Sequence, residues 1–183
     1  MPDSLSSLYG GRGIALTHGV GSHVFDSADR GYIDFFNGHG ASLFGHSHPL
    51  LTEALARAAK GIWTSGAGFE SPVREKLADE LGLMLGEGRV FLCNSGTEAI
   101  EAALKLVLTL RKGRGRILAC RRGFHGRTCG ALSITHNPKY REPFMPLVGK
   151  AEHFSMDDLA DNIDDDTAAA FIEPVQGERG VFA

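Results

Sequence analysis

Three short segments carry residue types that chemistry can use. In Leu92-Cys93-Asn94-Ser95-Gly96-Thr97-Glu98-Ala99 an apolar run meets a tight polar loop that opens a helix. A helix start leaves its first N–H groups unpaired and carries the positive end of the dipole. Ser95, Gly96 and Thr97 are therefore a candidate phosphate site, with two hydroxyls beside the amides. A plainer reading stands beside this one. Ser95 and Glu98 have capping-box spacing, which stabilises a helix with no ligand at all. An anion site also requires Glu98 and Glu101 to point away, and Glu101 can pair with Lys105 one turn on.

The second segment is Phe124-His125-Gly126-Arg127-Thr128, expected just after a strand. Phe124 can cover a flat heteroaromatic ring, and Arg127 can bind a carboxylate in two-pronged geometry. The alternative is a core phenylalanine beside a solvated arginine. The third segment, Glu173-Pro174-Val175-Gln176-Gly177-Glu178, sets two carboxylates and an amide on a loop stiffened by Pro174. A surface turn is its plain alternative. Rival phosphate motifs fail. Gly149-Lys150 runs into Ala151, and Gly19-Val20-Gly21 has Val24 where a dinucleotide fingerprint needs glycine. His39, His46 and His48 lack a cysteine or carboxylate at ligand spacing, so no metal site is expected. Asp157, Asp158, Asp161, Asp164, Asp165 and Asp166 fit no calcium loop and read as a solvated face. The same applies to the basic stretch Arg111, Lys112, Arg114, Arg116, Arg121 and Arg122.

These segments need a scaffold, and 183 residues with 43% hydrophobic content can build one. A net charge of -3 gives no global positive field, so nucleic acid is excluded as the main partner. Cys93, Cys120 and Cys129 have no metal spacing, and with no apolar leader in residues 1–10 they suggest free thiols in a reducing cytoplasm. No run approaches the roughly 18 apolar residues of a membrane helix, so no membrane partner is expected. Residues 24–26 and 32–36 read as a β-hairpin around a glycine-containing loop. Helices are expected over 51–62 and from about 71. Residues 89–93 read as a short buried strand. The helix over 99–110 is apolar almost all round and belongs in an interior. Strands are expected at 115–120, 132–134 and 168–172. Ser155 caps a short helix with Met156, Leu159 and Ile163 inward. Alternating strands and helices imply an α/β fold with a mostly parallel sheet and helices on both faces. In such sheets ligands lie at C-terminal strand ends, where all three segments fall.

With Gly45-His46-Ser47-His48-Pro49 upstream, these segments resemble the class III aminotransferases, a fold-type I pyridoxal-phosphate (PLP) family. Pro138-Lys139-Tyr140-Arg141-Glu142-Pro143-Phe144 is similar to the acetylornithine/acetyl-lysine branch, which includes enzymes acting on carrier-protein-bound aminoadipate semialdehyde. The resemblance runs from about Gly19 to Ala183. It implies an N-terminal segment over 1–50 and the first part of an incomplete large PLP-binding domain over 51–183. It implies that Gly96 and Thr97, with Ser95, hold the cofactor phosphate, that Phe124 stacks on the ring, and that Glu173 and Gln176 support the cofactor. It further implies that Arg127 grips the substrate α-carboxylate, while Glu178 adapts the site between ω-amino substrates and 2-oxoglutarate. The activity implied moves the terminal amino group of N-acetylornithine, or a related blocked diamino acid, to 2-oxoglutarate. A cytoplasmic homodimer and an amino-group carrier protein as partner follow from the same resemblance. The family's Schiff-base lysine is expected beyond residue 183, since Lys60, Lys76, Lys105, Lys112, Lys139 and Lys150 match no such position. On that expectation the chain alone is inactive, and the alternative is a non-catalytic relative acting as a binding domain. Arg179 stands where relatives carry a small residue; it can pair with Glu178 or reach a second substrate carboxylate.

Overall fold

The computed structural model describes residues 11–66, 68–86, 88–178 and 180–181. Two compact units are present, Met1–Glu75 and Lys76–Ala183. In the first, β1 (Leu16–Val20), β2 (His23–Asp26) and β3 (Gly31–Ile33) form an antiparallel sheet in that order. The expected hairpin is its β2–β3 half. Asp26 fixes the connection. Its buried carboxylate accepts from Ala28 N (2.9 Å), Arg30 N (3.0 Å), Arg30 Nε (2.8 Å) and the Tyr32 hydroxyl (2.8 Å). These bonds, the Arg30 amide foremost, hold the carboxyl well below the usual carboxylate range. A short turn, α1 (Asn37–Gly40), follows, with Gly38 and His39 left-handed. His46, one of the three histidines weighed as ligands, meets Asp34 at 2.7 Å and bridges to Gly21. Pro49 opens α2 (Pro49–Ala58) at a position whose missing N–H costs nothing.

The second unit is built on a parallel sheet. α3 (Pro72–Leu85) begins beside the unit boundary, and α4 (Gly96–Leu110) follows. Then come β4 (Arg116–Cys120), α5 (Cys129–Ile134), α6 (Pro138–Arg141), β5 (Glu152–Phe154), α7 (Met156–Leu159) and β6 (Thr167–Phe171). The sheet order is β5-β4-β6, with both pairs parallel. Leu118 and Ala119 of the central strand are fully buried, and Leu104, Ile117, Ala119, Ile134 and Ala168 cluster into a core. Parallel pairing matters for function because it puts the loops after β4 and β6 on one edge. Arg116 locks the opposite edge, with Nε on Glu152 (2.7 Å) and Nη1 on Asp164 (2.7 Å). Arg116 thus departs from the solvated face read for this basic stretch, and Arg121 Nε likewise donates to His153 O at 3.2 Å.

Several expectations need correction. Residues 89–93 join no sheet among the described residues, and Phe91 is 70% exposed. An apolar run becomes a strand only where a neighbour takes up its backbone hydrogen bonds. Residues 132–134 are helical, the end of α5. Thr135 ends that helix by accepting from His125 N and donating to Gly126 O, so side-chain bonding decided what a short apolar run left ambiguous. In α4 only Leu104 is buried, while Leu106, Leu108 and Leu110 face outward. Around α7 only Leu159 is buried; Met156 and Ile163 are exposed.

Candidate functional site

An open concavity of about 550 Å³ in the second unit is lined by Gly96, Thr97, Ile100, Phe124, His125, Gly126 and Arg127. The first two segments singled out in the sequence therefore meet. Their approach depends on glycine. Gly126 has φ +134°, and a Cβ there would strike the Thr97 side chain (2.6 Å from its Cβ) and Ala131 Cβ (2.9 Å). Thr97 Oγ1 in turn meets Thr128 Oγ1 at 2.8 Å, which fastens the helix start to the loop.

Ser95 is the N-cap of α4. Its hydroxyl oxygen accepts from Glu98 N at 3.3 Å, while Glu98 Oε2 accepts from Asn94 N at 2.6 Å. The Ser95 half of the expected capping box is thus present, while Glu98 reaches one residue further back, to Asn94 instead of the Ser95 amide; the Gly96 and Thr97 amides remain first-turn donors without intrahelical partners. Glu101 does not turn to Lys105 for a partner. Its Oε1 accepts from Thr128 Oγ1 (2.5 Å), Gly130 N (2.8 Å) and Ala131 N (3.1 Å), capping α5 from a neighbouring helix. The Thr128 hydroxyl first, then the two amides, lower its pKa against the opposing effect of burial. Glu98 in the first turn and Glu101 in the second are thus each turned to donors other than a ligand at this helix start.

The loop after β4 is held from β6. Glu173 Oε2 accepts from Phe124 N at 2.9 Å. Gln176 is buried, and its Nε2 donates to Arg121 O at 2.9 Å with Cys120 Sγ at 3.5 Å. Neither side chain lines the concavity; both fix the loop that presents Phe124. Glu178 is exposed and accepts from the Tyr140 hydroxyl at 3.3 Å. Arg127 lies over the Tyr140 ring, 4.5 Å from Cζ to the centroid. Burial lowers the His125 pKa against the opposing charge of Glu173. Arg179 lies outside the described residues.

Sequence reasoning missed Thr128, Glu101 and Tyr140 as parts of this arrangement. Thr128 lies inside the Phe124–Thr128 motif, but its hydroxyl's partners sit on another helix. Tyr140 lies in the segment that resembles the acetylornithine/acetyl-lysine branch and carries no site signal of its own.

The family model for aminotransferase class III matches residues 9–183. The chain belongs to the class III aminotransferases. Among curated relatives, a [LysW]-aminoadipate semialdehyde/glutamate semialdehyde transaminase of Sulfolobus acidocaldarius is 42% identical over 97% of this chain and 47% of that protein. An acetylornithine aminotransferase of Streptomyces clavuligerus is 39% identical over 94% of this chain and 44% of that protein. An acetylornithine enzyme and an aminoadipate-semialdehyde enzyme, both kinds within the one branch that residues 138–144 resemble, are thus among the relatives. Ornithine aminotransferase from Toxoplasma gondii ME49 superposes with a TM-score of 0.87 at 28% identity, over 96% of this chain and 44% of that one. A structure of the T. gondii enzyme crystallised with oxidized glutathione carries PLP at partial occupancy at its active site. The fold-type I architecture expected from the motifs is therefore established, and the chain spans about half the length of the curated relatives it matches.

Proposed function

We propose that this chain forms part of a PLP-dependent aminotransferase. Its reaction moves the terminal amino group of N-acetylornithine, or a related blocked or carrier-bound diamino acid, to 2-oxoglutarate. The observation that carries this reading is the convergence of the α4 start, Phe124 and Arg127 on one concavity. Each part suits one portion of a phosphorylated heteroaromatic and its substrate. The Gly96 and Thr97 amides, the helix dipole and the Ser95 hydroxyl suit a phosphate dianion, while the Thr97 hydroxyl is turned to Thr128. The tight cradle made by Gly126 against Thr97 brings the Phe124 loop close to that phosphate site. Phe124 covers a flat ring, and Arg127 takes a carboxylate through charge-assisted hydrogen bonds.

When bound, PLP supplies the electron sink that makes amino transfer possible. This chain's own residues bind and orient. Gly96, Thr97 and Ser95 hold the phosphate, Phe124 fixes the ring plane, and Glu173 and Gln176 keep the Phe124 loop in place. Arg127 aligns the substrate carboxylate so that the amino group is presented to the reacting carbon. Glu178 tunes acceptance of the two substrates. Among the described residues no lysine lines the concavity, and the reading gives none of these 183 residues the role of the anchoring lysine. A cytoplasmic homodimer belongs to the same proposal, as does an amino-group carrier protein as partner.

The test is the intact mass of the full-length gene product after borohydride reduction, followed by amino transfer from N-acetylornithine to 2-oxoglutarate. A pyridoxyl adduct and glutamate formation support the reading. A full-length product that takes no adduct defeats it. That result favours a binding role, for which the outward Leu106, Leu108 and Leu110 of α4 are the specific observation.

A further inference from the structure

Tyr140 touches three side chains of the candidate site. Arg127 lies on its ring face, its hydroxyl donates to Glu178, and Phe124 meets the ring edge-on with centroids 6.1 Å apart. The tyrosine is itself fixed. α6 opens at Pro138, Asn137 Oδ1 accepts from Lys139 N at 3.1 Å, and Tyr140 is half-buried. We propose that Tyr140 is a positioning residue. Its ring carries Arg127 and its hydroxyl tethers Glu178, which keeps cation and carboxylate apart so that one site accepts both a monocarboxylate donor and a dicarboxylate acceptor. This inference rests on the reading of Arg127 given above.

The physical case is one of competing partners. An arginine and a glutamate on neighbouring loops close into an ion pair when nothing intervenes, and such an arginine has no free N–H fork for an incoming carboxylate. Here Arg127 makes no ion pair among the described residues. Lying over a ring face it gains cation–π attraction while its N–H edges stay available. Glu178 is occupied by the phenol at the far end of the same ring. Released, Glu178 would compete for Arg127 and repel the second carboxylate of 2-oxoglutarate. A donor such as N-acetylornithine has one carboxylate and lacks the second one that a loose Glu178 repels, so it is disturbed less. The hydroxyl therefore governs the dicarboxylate, and the ring governs both substrates.

The experiment uses full-length, PLP-loaded protein and two unreactive probes measured by calorimetry: glutarate for the dicarboxylate and N-acetylnorvaline for the monocarboxylate. Tyr140→Phe is expected to weaken glutarate at least fivefold more than it weakens N-acetylnorvaline. Tyr140→Leu is expected to weaken both at least tenfold, with Phe restoring N-acetylnorvaline binding. In a Glu178→Gln background, Tyr140→Phe should add less than a further twofold. Equal losses for both probes in Tyr140→Phe, no loss for either, or the same loss in the Glu178→Gln background each overturn the inference. Should Tyr140→Leu fail to fold, Tyr140→Phe and the double variant decide alone. Arg127→Ala separates the two levels. Unchanged binding of both probes in that variant refutes the underlying reading of Arg127. Weakened binding there, with no change in either Tyr140 variant, refutes only the role given to Tyr140.

Discussion

Gly126→Ala puts the closest approach in the cradle to a direct test. The residue has φ +134°, a conformation in which an L side chain is strained by about 1–3 kcal/mol. The added methyl also has no room. It would sit 2.6 Å from Thr97 Cβ and 2.9 Å from Ala131 Cβ, both attached to helical backbone rather than to a movable side-chain end. Overpacking of that kind costs about 1–3 kcal/mol more. The sum, about 2–6 kcal/mol, is a large part of a typical domain's stability. The alternative is retreat of the loop from α4. That movement breaks the Thr97–Thr128 contact and the Thr135 bond to Gly126 O, and carries Phe124 and Arg127 away from the helix start. A displacement of about 1 Å at such a site can lower activity about 100-fold. Urea unfolding and PLP titration of the full-length protein read the two effects. Gly149→Ala is the control: its Cβ would meet Ser133 Cβ at an ordinary 3.6 Å, and we expect a change below about 0.5 kcal/mol. A Gly126→Ala protein with wild-type unfolding midpoint and wild-type PLP affinity would refute the reasoning.

Three further predictions concern single charged or titrating groups. Glu101→Ala removes one oxygen that serves three donors, and should destabilise the protein by about 2–4 kcal/mol at neutral pH in denaturant unfolding. Because its folded pKa lies below the ordinary 4.5, the wild-type advantage is present above pH 4.5 and shrinks as pH falls through the folded value; a gap that persists undiminished at lower pH would exclude this cap as its source. Burial, and after it the Arg141 charge, push His153 down to about 4 from 6.5, so the unfolded chain gains a proton first. Stability should therefore fall by about 1–3 kcal/mol between pH 6.5 and 4, and His153→Gln should flatten that interval; equal slopes in both proteins would remove His153 as the cause. Asp26→Asn should lower the melting temperature of the full-length protein by loosening the β2–β3 connection, with the difference disappearing well below pH 3.8, where the depressed carboxyl finally protonates.

The parts of the site legible in sequence were those whose chemistry is local. Ser95-Gly96-Thr97 announced a helix start through hydroxyls and glycine at capping spacing, and both the cap and the open first-turn amides are there. Phe124 and Arg127 were identified by position after a strand, and β4 ends where that required. What escaped was decided by neighbours distant in sequence. Residues 132–134 carry strand-like types, yet the hydroxyl of Thr135 and the carboxylate of Glu101 secure them as a helix. Residues 89–93 have the composition of a buried strand but no adjoining ladder among the described residues. Glu101 looked like half of an i,i+4 pair because the N-terminus of α5, which takes its carboxylate, comes later in the chain. Tyr140 offered no signal of its own, since its ring acquires meaning only from the cation above it and the carboxylate at its hydroxyl.

The placement of the concavity has a consequence for the order of folding. Every residue lining it lies between Gly96 and Arg127, so its walls come from a short, nearly continuous stretch of chain. Contacts of low sequence separation need little loop closure and form early, here as soon as α4, β4 and the start of α5 have left the ribosome. The clasps from Glu173 and Gln176 bridge 49 and 55 positions and cannot close until β6 has been made. A nascent chain thus shapes the cradle first, with a slack Phe124 loop, and tightens it only when β6 arrives.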